Sequence, residues 1–121
     1  MTTEELIDRL ISFAAMIITL TDSLKRNRAG LHLNDQMSRS SISAGLNYGE
    51  ATGAESPRDF VHKMQIVLKE LWETWIALRI TEVAQLSSNP ELLKKCLDEN
   101  NQLISIFTKS VTTNKKKIKD L

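Results

Sequence analysis

A chain of 121 residues, 41% hydrophobic and 26% charged, has enough material for one compact core and too little for two domains. Sixteen Lys and Arg against fifteen Asp and Glu leave a net charge of +1, so no global field recruits nucleic acid or an anionic membrane, and any such contact must come from a local patch. The single cysteine, Cys96, cannot close an internal disulfide; with the acidic start MTTEELIDRL and the short, interrupted run LISFAAMIITL, which suit neither a signal sequence nor a membrane span, it places the chain in a reducing cytoplasm.

In the first segment Leu6, Leu10, Phe13, Ile17, Leu20 and Leu24 recur at spacings of four and three, which stacks them on one face of a helix. Thr3 is placed to cap its start. Ile7, Ala14 and Ile18 widen the stripe, and KRNRAG supplies a basic last turn with Gly30 as terminator, so helix 1 is expected over 3–28. The next segment is less orthodox, because Gly45, Gly49 and Gly53 each cost about 1 kcal/mol against alanine inside a helix. Wrapped as a helix over 33–53, however, it is coherent. Leu33, Met37, Ser41, Ala44, Tyr48 and Ala51 fall on one arc, while Gln36, Arg39, Ser43, Asn47 and Glu50 form a polar line hemmed by apolar residues. Such a line suggests a half-buried network in which each group needs a partner. Arg39 and Glu50 are the evident charges to pair, yet they lie three turns apart, so at least one must reach another helix or another subunit. Gly45 and Gly49, four residues apart, would let a second backbone approach closely.

Ser56, Pro57 and Asp59 give the third segment the clearest start in the chain: an N-cap, a proline at the first helical position and an acid three residues after the cap. Phe60, Met64, Val67, Leu68, Leu71, Trp75 and Leu78 then share one face, with His62, Lys69, Glu73 and Ala77 opposite, over a helix expected at 57–86. Asn89 and Pro90 repeat the same grammar for helix 4, expected over 90–113, on which Leu93, Leu97, Ile104, Phe107 and Val111 form the apolar series. Asn100 stands where that series calls for an apolar residue, the place of a group that sets register at some cost in stability. Nothing in the chain has the alternating, β-branched pattern of strands. The fold class is all-α, one domain over 1–121, with a flexible basic tail over 114–121.

The run QMSRSSISAGLNYGEA, Gln36 to Ala51, resembles the second-helix signature of the four-helix-bundle proteins known as 23S rRNA intervening-sequence proteins. Gln36, Arg39, Ser43, Asn47 and Glu50 stand at the signature positions, and Asp59, Phe60, Lys69, Glu70, Glu73 and Thr74 in the next helix are similar to the family's third helix. Ser38 departs from the first of the family's paired arginines, Ala44 and Gly45 from its isoleucine and the residue after it, and Ala51 from its usual glycine. The resemblance implies an antiparallel up-down-up-down four-helix bundle that assembles into a ring-like homo-oligomer, pentamers being known in the family. It implies a bacterial protein and no assigned activity. Distant bundle relatives that bind RNA and a reverse transcriptase make RNA, or an RNA-associated protein, the further partner to consider.

Rival chemistries have little to stand on. The glycines of GLNYGEATG follow no strand and precede no G-K-[ST], so they are not a phosphate loop. His32 and His62 have no H-E-x-x-H partner, and Glu70 with Glu73 lacks the histidine of a di-metal bundle. No Ser/His/Asp or Cys/His constellation supports hydrolysis. The expectation is therefore no enzyme, no metal and no cofactor. The alternative is a small-molecule-binding bundle or an unrecognised enzyme, with a pocket around Tyr48, Trp72 and Trp75. The tail lysines Lys115, Lys116, Lys117 and Lys119 are candidates for contact with RNA phosphates, strengthened if a ring repeats them. Lys25, Arg26 and Arg28 form a second cluster at the opposite end of the bundle. The leading reading is a cytoplasmic, self-associating interaction or scaffold protein in which the polar line on helix 2 sets packing or subunit register.

Overall fold

The computed structural model describes residues 1–119 as four antiparallel helices, α1 Thr3–Thr21, α2 Arg28–Ala51, α3 Pro57–Val83 and α4 Pro90–Lys119. Each helix packs on its neighbours in the order α1, α2, α3, α4 and back to α1, with no diagonal pair, the arrangement of an up-down-up-down bundle. Every start is closed by a side chain. Thr2, Asn27, Ser56 and Asn89 accept the backbone N–H of Glu5, Gly30, Asp59 and Leu92 at 3.1, 2.8, 3.0 and 3.2 Å, which satisfies donors that a helix cannot satisfy for itself.

The apolar stripes meet as expected: Leu10, Phe13, Ile17 and Leu20 of α1, Met37 of α2, Met64, Leu71 and Leu78 of α3 and Leu103 and Phe107 of α4 are almost wholly enclosed. Tyr48 meets Phe107 edge to face, with ring centres 5.4 Å apart. Cys96 is buried among them, and burial pushes its thiol up to about 11, so it packs as a small apolar residue. Asn100 is also fully buried. Its amide donates to the Leu71 carbonyl at 3.1 Å, while its own Oδ1 has no partner. That half-satisfied group costs stability and ties α4 to one position along α3.

Helix boundaries depart from the sequence expectation where distant residues decide them. Helix α1 stops at Thr21, short of 28, and α2 begins at Arg28, ahead of 33. The basic run KRNRAG is thus a connector and a helix start. What captures the chain is the loop after α3: Lys25 N–H donates to the Leu86 carbonyl at 2.9 Å and Ser88 N–H to the Ser23 carbonyl at 2.8 Å, a bridge between Leu24 and Ser87 reinforced by the hydroxyls of Ser23 and Ser87, 2.7 Å apart. Gly30 is no terminator. It sits buried in the first turn of α2, where a Cβ would lie 1.8 Å from the Lys25 carbonyl oxygen.

Helix α3 ends at Val83 in a Schellman motif, with Leu86 N–H on the Thr81 carbonyl and Gln85 N–H on that of Glu82. Gln85 takes the left-handed position, φ 53°, that glycine usually fills. Helix α4 continues through the basic segment to Lys119, so residues 114–119 are helix where a flexible tail was expected; Asp120 and Leu121 lie outside the described residues. Gly30→Ala is expected to lower stability by about 1–3 kcal/mol through overpacking, a fall in Tm of roughly 5–15 °C. Gly53→Ala, whose Cβ would meet only the Glu50 carbonyl at 3.8 Å, should change it little. Thermal unfolding followed by circular dichroism compares the two.

Candidate functional site

Helices α2 and α3 form the most extensive helix pair in the bundle, and on the buried arc of α2 short side chains stand among the larger Leu33, Met37 and Tyr48. Ser40, Ser41, Ala44 and Ala51 are all buried, and such short side chains let two helices approach closely. The polar groups brought together at this seam are matched in detail. Thr74 Oγ1 donates to the Glu70 carbonyl at 2.9 Å, so the 2.6 Å contact between Ser40 Oγ and Thr74 Oγ1 uses the serine proton. Arg39 donates one N–H to Glu70 Oε2 at 3.1 Å and another to Glu73 Oε2 at 2.7 Å. Glu50 accepts from Lys63 Nζ at 3.0 Å.

Arg39 and Glu50, too far apart on α2 to pair with each other, each reach a neighbouring helix, and both find separate partners on α3. Asn47 donates to the Ser43 carbonyl of its own helix at 2.8 Å, so its amide N–H is spent within α2 and not across the seam. Gln36 is exposed beside Glu73, Ile76 and Ile80. The polar line is therefore half seam and half surface, not one continuous network. The glycines divide likewise. A Cβ at Gly45 would rest 4.0 Å from Leu10 Cβ of α1, whereas at Gly49 nothing lies within 4 Å, so neither is required for close packing inside one chain.

The outer face of α3 changes character along its length, and sequence reasoning missed it. Residues 58, 62, 65 and 69 and then 72, 76, 80 and 83 advance by three or four, which keeps them on one side of the helix. Arg58, His62, Gln65 and Lys69 make the first half polar and basic; Trp72, Ile76, Ile80 and Val83 make the second half apolar, all eight being exposed. The spacing was legible, but the apolar stripe that points to the core masked a second one that does not. Trp75 lies half-buried beside it, edge to face with Trp72 at 5.6 Å and under the Arg79 guanidinium at 5.9 Å. Tyr48 lines a recess at the end of the bundle, whereas Trp75 lines a separate apolar groove with Ile76, Arg79, Ile80 and Val83, so neither of these two cavities brings together the three residues that the small-molecule alternative named.

The tail lysines also separate. Lys115 and Lys119, four apart, line a groove with Arg58 and His62 of α3, Lys117 faces the recess that Tyr48 lines, and Lys116 is exposed. Arg9, which no sequence pattern distinguished, clamps α1 to α4. Its guanidinium donates twice to Glu99, both at 2.8 Å, and once to Gln102 at 2.6 Å, the strong fork geometry of an Arg–carboxylate pair. Among the described residues no group of three or more His, Cys, Asp and Glu side chains is placed to hold a metal ion, and no helix is long and apolar enough to cross a membrane.

These features, the Arg39 and Glu50 seam on α2 and the start of α3, lie within residues 4–109, which match the model of the 23S rRNA-intervening sequence protein family. The chain belongs to that family. A solved structure of a protein of unknown function from the S23 ribosomal protein family, from Bacteroides thetaiotaomicron VPI-5482, is similar to it with a TM-score of 0.78 and 25% identity, over 93% of this chain and 99% of the other. Among curated proteins nothing matches the chain. Family membership and the bundle thus agree with the resemblance carried by Gln36 to Ala51, and they bring no activity with them.

The seam has a pH signature. Burial, and then the charge of Glu73, raise the Glu70 carboxyl above its ordinary 4.5 despite Arg39, while the hydrogen bond from Arg39 holds Glu73 below it. A raised carboxyl contributes stability at low pH that is lost as pH climbs through its folded value; a lowered one contributes stability that is lost as pH falls through its own. Glu70→Gln removes the first contribution and keeps an acceptor for Arg39. The difference in Tm between Glu70→Gln and the parent is therefore expected to move in favour of the variant as pH rises from about 4.5 to 7, read from melts across that range.

Proposed function

We propose that this chain is a homo-oligomeric, non-enzymatic scaffold of the cytoplasm, assembled through the apolar half of the outer face of α3. The observation that carries this reading is the exposure of Trp72, Ile76, Ile80 and Val83, at 45, 51, 49 and 73%, in one unbroken ladder. Single exposed apolar residues need no explanation, whereas a contiguous patch marks an interaction surface. A second copy is the occupant that the rest of the molecule favours. Ile11 and Ile18 of α1 and Ile42 and Leu46 of α2 are exposed as well, each pair on one side of its helix. Two different apolar faces on one molecule suit a head-to-tail contact, which closes into a ring; the pentamer implied by the resemblance is such a ring. Gly49 supports this, since its cost to the helix is repaid by nothing within its own chain. The polar groups of the α2–α3 seam satisfy one another, which fits assembly better than chemistry.

Sedimentation velocity at micromolar concentration and physiological salt is expected to give one species several times the monomer mass of 13.7 kDa, and Ile76→Glu a helical monomer. A monomeric parent protein would sink the reading.

RNA, or a protein bound to it, is the second partner, and a separate observation favours it. Arg58 and His62 stand with Lys115 and Lys119 along one groove, and none of these side chains forms an ion pair with another described residue. Such a cluster suits phosphates, and a ring would repeat it. Replacing Lys115, Lys116, Lys117 and Lys119 by glutamine should abolish retention of RNA on filters at low salt. Replacing Arg58 alone should lower the slope of log K against log salt by about one. Binding that is indifferent to these changes counts against the groove.

A further inference from the structure

A second line of exposed residues runs along α1. Glu4, Asp8, Ile11, Ala15, Ile18 and Asp22 advance by three or four and are all exposed, so they share the outward side of that helix. Their character changes along the helix as that of α3 does: acidic first, apolar next. On α3 the order is basic first, from Arg58 to Lys69, then apolar from Trp72 to Val83. Lys69, Glu4, Asp8 and Asp22 form no ion pair with another described residue. Laid side by side and parallel, the two lines match opposite charge to opposite charge and apolar to apolar. Laid antiparallel, they set Glu4 and Asp8 against Ile80 and Val83.

The heights of the two lines agree as well. Within one chain Leu10 of α1 lies against Gly45 of α2, where a Cβ would be 4.0 Å from that of Leu10; Gly45 is midway between Ser40, bonded to Thr74, and Glu50, bonded to Lys63. On the other side Arg9 holds Glu99 and Gln102 of α4, and Asn100 between them reaches the Leu71 carbonyl. Both routes put Leu10 level with residues 68–72 of α3. Asp8 therefore stands at the height of Lys69, Ile11 at that of Trp72, Ala15 at that of Ile76, Ile18 at that of Ile80, and Asp22 at that of Val83, one turn past Arg79. Ile42 of α2, two residues from Ser40, joins Ile11 at the height of Trp72. Helices α1 and α3 point the same way in an up-down-up-down bundle. A ring whose axis runs along the bundle keeps every copy at one height and in one direction, so these are the residues that neighbouring copies bring together. We propose, on the self-association argued above, that α1 and α2 of one copy cover the α3 ladder of the next in parallel. Asp8 then lies on Lys69, Ile11 and Ile42 on Trp72, and Ala15 under Ile76, while Ile18 enters the apolar groove of about 360 Å3 between Trp75, Ile80 and Val83. Two copies joined α3 to α3 would leave Ile11, Ile18 and Ile42 bare. Arg58 and His62 fall beyond the start of the neighbouring α1 at Thr3, so the basic groove stays open.

Carrying both Ala15→Cys and Ile76→Cys, the protein treated with a short bismaleimide is expected to yield a ladder of covalent dimers, trimers and larger species on denaturing gels, ending at the copy number found by sedimentation. Either substitution alone should yield none. Positions 15 and 76 belong to diagonal helices that do not touch within one chain, so a short linker joins them only between chains. Cys96, buried and with its thiol raised, does not compete. Linked dimers from Ile76→Cys alone, or no links in a doubly substituted protein that sediments as an oligomer, overturn this pairing and leave self-association standing, whereas a monomeric parent protein removes both. Where the cysteines loosen the assembly, charge exchange decides. Lys69→Glu and Asp8→Lys should each shift the dissociation midpoint about fivefold to tenfold in protein concentration, and the two together in one chain should recover most of that loss. A double variant no tighter than the weaker single one overturns the pairing.

Discussion

The close meeting of α2 and α3 is the constraint on which the other features rest. Small residues on α2 bring the two helices together, and once they are close, Ser40 and Thr74 share a hydrogen bond that tolerates no slippage. A shift of one turn would leave two buried hydroxyls apart and move Arg39 away from both glutamates, each loss costing about 1 kcal/mol or more. With that register fixed, the side of α3 that faces away from the core is fixed too. The ladder of Trp72, Ile76, Ile80 and Val83 is therefore presented to the outside by the packing of the opposite side of the same helix.

The elements themselves were largely legible in the sequence. Caps at Ser56 and Asn89 and the three-four spacing of leucines located the helices because those signals are local, and the core residues followed from the same periodicity. Failures came where a distant segment decides. The end of α1 is set by a loop more than sixty residues away, which bonds to Lys25 and Ser23, and nothing in KRNRAG announces it. Gly30 was taken for a helix end because glycine at such a place usually is one; its actual role, yielding room to the Lys25 carbonyl, depends on a fold of the backbone that no pattern encodes. The apolar series of α4 closes at Val111, so the pattern sets no boundary for the basic terminal segment, yet the helix continues to Lys119, at a cost in charge repulsion that water and salt screen.

The candidate sites show the same division. The residues of the α2 signature, Arg39 and Glu50 above all, announced that partners were needed without naming them, and Glu70, Glu73 and Lys63 supply those partners from across the seam. Grouping of the lysines by helical phase was available from sequence once the segment was known to be helical. Their association with Arg58 and His62 was not, because it requires α3 and α4 to lie side by side.

The bridge between Leu24 and Ser87 gives the bundle a polarity in the way it comes apart. Helix α1 is the shortest of the four, and its contact with α4 is the sparsest of the neighbouring pairs. Left to itself it would detach from either end with equal ease. The backbone bonds at Lys25 and Ser88 lock one end to the loop between α3 and α4, so α1 can peel away only from Thr3 inward, and Arg9 is the first strong tie that it meets. Local opening of the molecule is thereby directed to the end that holds the recess, while the other end stays closed until the whole bundle yields.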